Sequence, residues 1–230
     1  QHSICGSFVA LHSPIFCSTA FCKTSHTLER YRKLLPLHCT NMIKFNYQQY
    51  RIKIFNDETY TKSSSDNINR YDFEYGESDY GYSSKYGIKL FDDDEIVAST
   101  ILLSSGGATT IHDNSAILNE DNLVICVGNQ IFCIKIPSLK LNWKIKADSA
   151  TCFGVYCKNN SYIIHGELVI TQIDQHGKIK WQFSGKDIFT TLEGNEDFII
   201  KDDGILVKDW EYNQYKIDFN GKGFIVDNGQ

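Results

Sequence analysis

The stretch CFGVYCKNNSYIIHGE, residues 152–167, gathers two cysteines, a histidine and a carboxylate within sixteen residues. Two chemistries suit such a set: a metal site, or a thiolate nucleophile with His as base and Glu as its orienter. Folding CFGVYC onto SYIIHGE about Asn159–Asn160 pairs Cys157 with Tyr162, Tyr156 with Ile163, Gly154 with His165 and Cys152 with Glu167. Side chains alternate along a strand, so Cys152 and Cys157, five apart, point to opposite faces and share no metal. The same register puts Cys152, His165 and Glu167 on one face. His165 then lies diagonal to Cys152, roughly 7–8 Å away. No helix N-terminus or oxyanion donor accompanies the trio, so Cys152 is expected to be a packing residue.

A second candidate is SSGGATTIHDNS, residues 104–115. Gly106 and Gly107 followed by Thr109, His112 and Asp113 have the makings of an anion-binding turn, or of an acid–base pair in His112 and Asp113. No GK[ST] follows and a strand comes next, so this is not a P-loop. A third set, Cys17-x4-Cys22-x3-His26 with His38 or Cys39, has ligand-like spacing but lacks paired knuckles. No metal and no cofactor are expected.

The elements that hold these residues are strands. Segments beginning at Gly128, Gly166 and Gly204 align at a spacing of 38 residues, bringing Trp143, Trp181 and Phe219 into one column. LKLNWKIK and KIKWQF alternate apolar and polar, the mark of a strand with one buried face. Runs at 152–157, 162–165, 168–173 and 178–183, separated by Asn- and Gly-bearing turns, predict four antiparallel strands per unit. The fold class is therefore all-β, with four-stranded blades at a 38-residue period in a propeller-like array, partial or four-bladed. A further sheet is expected from 43–55, 86–91 and 95–103.

DQHGKIKW resembles the GK-x-x-W strand of pyrroloquinoline-quinone-type propeller blades, with Gly177, Lys178 and Trp181 matching. The first unit has Leu139 for that glycine. The span from about 86 to 222 also resembles a group of uncharacterised bacterial propeller-like proteins, through YGIKLF, SSGGATTIHDNS, HGELVITQID and GKIKWQFSGKDIFTT. The resemblance implies a shared fold and no transferable activity.

Composition narrows the function classes. The 230 residues carry a net charge of −5, but residues 1–41 hold four basic residues and one acid, which leaves 19 basic and 27 acidic residues in 42–230. So acidic a body repels phosphate backbones, and no nucleic-acid partner is expected. No apolar run is long enough to span a membrane. Residues 1–41 hold four of the eight cysteines and no clear period, which reads as an irregular extension before Met42, the only methionine. Residues 56–86, acidic, Ser-rich and holding six of the thirteen tyrosines, read as a long loop or mobile hairpin inserted in the β domain of 42–230. The sequence thus favours a non-catalytic cytoplasmic binding module for a protein or small ligand. The rival is a hydrolase or transferase using Cys152, His165 and Glu167, or His112 and Asp113.

Overall fold

A computed structural model describes residues 42–77, 81–107, 109–191 and 197–226. The candidate metal set Cys17, Cys22, His26 and His38 or Cys39 lies outside them. Seventeen strands form four sheets. The first holds β1 (Met42–Tyr47), β2 (Tyr50–Asn56), β3 (Phe73–Tyr75), β4 (Ser84–Asp92) and β5 (Glu95–Ser104) in the order β1-β2-β4-β5-β3. The second runs β6 (Ala116–Asn119), β7 (Asn122–Val127), β8 (Gln130–Lys135), β9 (Lys140–Lys146). The third is β10 (Cys152–Lys158), β11 (Ser161–Gly166), β12 (Val169–Asp174), β13 (Ile179–Ser184), and the fourth is β14 (Phe198–Lys201), β15 (Gly204–Lys208), β16 (Gln214–Ile217), β17 (Gly223–Ile225). The architecture is all-β and propeller-like, as the period and the alternation predict. No helix among the described residues is long and apolar enough to cross a membrane.

Alternation explains how the sheets stack. In β7, Leu123, Ile125 and Val127 face the first sheet, while Val124 and Cys126 face the third. One apolar cluster joins sheets one and two, a second joins two and three, and a third joins three and four. Among the described residues no such cluster joins the fourth sheet to the first.

The run 43–55 is two strands. Gln48 takes a positive φ of 52°, and the chain reverses there so that Tyr47 pairs with Tyr50 and Phe45 with Ile52. Parity switches across the two-residue turn, which keeps both apolar sets on one face.

The tyrosine-rich insertion differs from the mobile hairpin expected of it. Tyr60, Tyr71 and Tyr82 pack on Ile101 and Leu103, on the face of the first sheet turned away from the second. Tyr71 donates to buried Asp57 at 2.6 Å and Tyr60 to Glu74 at 2.6 Å. β3, within the insertion, pairs parallel with β5 and extends the sheet. The terminal sheet is thus covered by its own loop, which hides an apolar face that stacking leaves bare at the end of an array.

β9 and β13 each depart from simple alternation. Cys133 pairs with Trp143 but Ile134 with Leu141, leaving Asn142 as an extra residue. Lys180 is the extra residue in β13, where Gln172 pairs with Trp181 and Ile173 with Ile179. These bulges turn Leu141 toward the first sheet and Trp143 toward the third, although the two share sequence parity.

The third aligned segment needs correcting. Gly128 follows the second strand of its sheet and Gly166 ends the second strand of the next, but Gly204 opens β15, the second strand of the fourth. Phe219 lies in the β16–β17 turn and is no counterpart of Trp181. The turns that do correspond are DQHGK (174–178) and DFNGK (218–222), each closed by an aspartate side chain.

Candidate ligand groove

The geometry of β10 decides the fate of the cysteine–histidine set. Gly154 pairs with His165, Tyr156 with Ile163 and Cys157 with Tyr162, but Cys152 pairs with Gly166, because Phe153 bulges out of the ladder. That extra residue reverses the face of Cys152. Cys152 is fully buried toward the second sheet, beside Cys126, Val155 and Tyr162. Burial drives its thiol well above the ordinary range.

His165 points the other way, toward the fourth sheet. Its ring stacks on Phe198 with centroids 4.5 Å apart and meets the edge of Phe153 at 5.3 Å. Nε2 donates to the Phe189 carbonyl at 2.8 Å, and burial pulls the imidazole pKa down to about 4. Glu167 ties the sheet to the preceding loop through its backbone, donating to the Thr151 carbonyl at 2.8 Å and accepting from Phe189 at 2.7 Å. The bulge therefore breaks up the trio of Cys152, His165 and Glu167 that simple alternation assembled.

The glycine-rich segment, a candidate anion-binding turn by sequence, connects the first two sheets. The Gly107 N–H donates to the Ala150 carbonyl at 2.8 Å and is not offered to a ligand. A Cβ at Gly106 would collide with the Asn129 side chain, and one at Gly107 with Thr151. Both glycines let the first inter-sheet connection cross close to the turns of the next two sheets. Thr109 receives the Tyr86 hydroxyl at 2.9 Å.

His112 caps a single 3-10 turn, Asp113–Ser115. Its Nδ1 accepts from the Asn114 N–H at 3.3 Å and its own N–H donates to Ser115 Oγ at 3.0 Å. Burial lowers its pKa, and a hydrogen bond to the Phe153 backbone opposes the shift. This cap aims the next two residues, Asp113 and Asn114, into a groove of about 410 Å³.

Ala116 and Ile117 of β6, Val155, Tyr156 and Cys157 of β10, and Ile200 of β14 line the rest of the groove. It therefore runs along the first strands of three successive sheets. Gly154 keeps the space between two lining residues: a Cβ there would stand 3.2 Å from the Tyr156 hydroxyl and 3.3 Å from Asn114 Cβ. The Tyr156 ring stacks on Phe198 at 4.9 Å, and burial pushes its phenol up to about 12, so it offers a neutral O–H. The walls are mainly aliphatic, with a carboxylate, an amide, a phenol and an exposed thiol at the margin. Such a mixture fixes the orientation of a small ligand. Cys157 and Asp113 both line the groove but no histidine does, and the described residues contain no His/Cys/Asp/Glu cluster able to hold a metal.

Of the residues singled out by sequence, Asp113 and Cys157 line the groove, with His112 supporting the first. Tyr156, Asn114, Ile117, Val155 and Ile200 were not recognised as a site. The available signal was positional: Ile117, Tyr156 and Ile200 belong to the first strand of successive repeated sheets.

No protein-family model matches the chain, and no curated protein matches it. Among solved structures, similarity is found to the computationally designed Ika4 protein (TM-score 0.42, 9% identity, 52% of this chain and 76% of that one). It is also found to the Myceliophteria thermophila Cps50 (Swd1) β-propeller domain (0.39, 9%, 64% and 58%) and to Kluyvelomyces marxianus Hsv2 (0.35, 10%, 62% and 45%). The chain spans 58% and 45% of these last two chains.

Proposed function

We propose that this chain is a non-catalytic binding module, and that the groove along β6, β10 and β14 is its ligand site. The observation that carries the reading is the commitment of Cys152, His165 and His112 to structural contacts, which leaves neither candidate reactive set intact. Cys152 is buried, His165 is stacked and hydrogen-bonded, and His112 caps a turn. What remains open to a ligand is an aliphatic cleft with a few polar groups at its edge. The four cysteines of the described residues are all free, which suits a reducing, cytoplasmic setting. The excess of acidic residues in 42–230 speaks against a nucleic-acid partner. Glycine turns seated on Trp143 and Trp181 support the kinship with quinone-type and bacterial propeller-like blades drawn from GKIKW.

A fragment screen read by methyl NMR tests the assignment. Ligands are expected to shift the Ile117, Val155 and Ile200 methyls and to leave Ile101, buried under the tyrosine cover, unmoved. Hits that cluster elsewhere on the surface, or no hits at all, would overturn it.

A further inference from the structure

We infer that the groove selects an alkyl cation: a short aliphatic chain ending in an ammonium or guanidinium. This rests on the groove being the ligand site and adds the chemistry that site would take. Asp113 is the only charged residue among those lining the groove, and no lysine or arginine of the described residues forms an ion pair with it. The described lysines and arginines that do form ion pairs meet acids elsewhere, Lys158 with Asp202 and Lys216 with Asp203 among them.

An unpaired carboxylate at the mouth of an apolar cleft favours a positive charge over a negative one, since a like charge there gains nothing and is repelled. The cation's remaining hydrogen-bond needs are matched by acceptors in the same lining, a side-chain carbonyl from Asn114 and the phenol oxygen of Tyr156. Behind them Ala116, Ile117, Val155 and Ile200 offer an aliphatic wall for the methylenes. A carboxylate-headed ligand finds no basic residue in the lining.

The chemistry has two sources, a free alkylamine or the side chain of a lysine or arginine in a partner protein. Titrations of the full chain with pentylamine, butylguanidine, pentanol and pentanoate, followed at the Ile117, Val155 and Ile200 methyls, test the charge preference. A parallel arm uses a short peptide carrying one central lysine and its norleucine analogue. The two cations are expected to bind about two- to fivefold more tightly than pentanol, the worth of an exposed ion pair, and pentanoate more weakly still.

Asp113→Asn, a substitution at an exposed site, should erase the preference for cations while keeping pentanol binding. Equal binding of amine and alcohol, or an unchanged preference in Asp113→Asn, overturns the cation assignment and leaves the groove as a site. Failure of all probes to move those methyls overturns the groove itself. Within a positive result, tighter binding of the lysine peptide than of pentylamine identifies a protein partner, and the reverse a free amine.

Discussion

Trp181 of the third sheet sits beneath Gly221 of the fourth. Its Nε1 donates to the Phe219 carbonyl at 3.1 Å, and a Cβ on Gly221 would stand 2.5 Å from its Cγ. The same contact joins the preceding pair of sheets, where Trp143 donates to the Gln175 carbonyl at 2.9 Å and Gly177 covers its ring. Both glycines have positive φ, 79° and 86°, so each turn needs glycine for its backbone and for the close approach of the indole.

Gly221→Ala should therefore cost more than the roughly 1–2 kcal/mol of left-handed backbone strain alone. Trp181→Ala removes a part-buried indole and should cost about 3 kcal/mol, near the low end for large aromatic truncations. The alanine methyl collides with the indole at 2.5 Å and with the Trp181 Cβ at 2.8 Å, and only the first clash goes with the ring, so the double variant should be less destabilised than the sum of the two while keeping part of the Gly221→Ala cost. Urea denaturation of the four proteins measures the coupling, and strict additivity would disprove the contact.

Thiol labelling distinguishes packing cysteines from a reactive one. Cys126, Cys133 and Cys152 are buried and Cys157 is exposed. Burial raises the thiol pKa of the first and third well out of the neutral range and that of Cys133 to about 11. Alkylation of the folded protein at neutral pH, with peptide mapping, should label Cys157 first among these four and reach Cys152 only on denaturation. His165→Ala should leave the Cys152 rate unchanged, since the Phe153 bulge puts the two side chains on opposite faces. Fast Cys152 labelling that depends on His165 would restore the enzyme reading.

Strand content was legible because alternation is a local property: 152–157, 162–165, 168–173 and 178–183 fall within about a residue of β10 to β13. Bulges were not. Phe153, Asn142 and Lys180 are single insertions whose only effect is to reverse a face, and each neighbouring sequence still alternates. The candidate trio failed at that one residue.

The offset of the fourth sheet was hidden for a different reason. An alignment on glycines cannot tell the turn after a second strand from the turn after a first. The repeated DQHGK and DFNGK turns carried the better register, because an aspartate accepting two backbone N–H bonds fixes one turn geometry. The groove was illegible as a motif, since its lining comes from three strands far apart in sequence.

Acid should weaken the junction between the third and fourth sheets. Burial holds His165 at about 4, below the ordinary histidine value near 6.5. The unfolded chain thus binds a proton that the folded chain refuses between those two values, and stability falls as pH drops through that window. Above about 6.5 the contribution is intact, and below about 4 the loss is complete. The loss attributable to His165 between pH 7 and pH 4 should be on the order of 3 kcal/mol, a little less than the full gap between 6.5 and about 4 implies at roughly 1.4 kcal/mol per pH unit. His112, also lowered by burial, adds to the slope in the same direction. His165→Phe keeps the stack on Phe198 and removes the titration. Its unfolding free energy should change less between pH 7 and pH 4 than that of the parent, and an identical slope would count against the assignment.

The tyrosine cover of the first sheet gives the last prediction. Asp57 is buried, and its Oδ2 accepts both the Tyr71 hydroxyl at 2.6 Å and the Asn69 amide at 3.0 Å. Tyr71→Phe keeps the ring that meets Tyr60 edge-on at 5.5 Å and removes only the donor. A hydrogen bond to a charged group is worth roughly 1.5–3 kcal/mol, so a loss near 2 kcal/mol is expected in thermal or urea unfolding. Asp57→Asn in the same protein should recover little, because the new amide nitrogen would face either the Asn69 amide or the Thr59 hydroxyl, both of which donate here. Limited proteolysis separates local from global effects: Tyr71→Phe should speed cleavage within 56–77 before any cut appears in the second or third sheet. Cleavage there as slow as in the parent would mean that the insertion is held by its apolar contacts with Ile101 and Leu103 and not by the buried carboxylate.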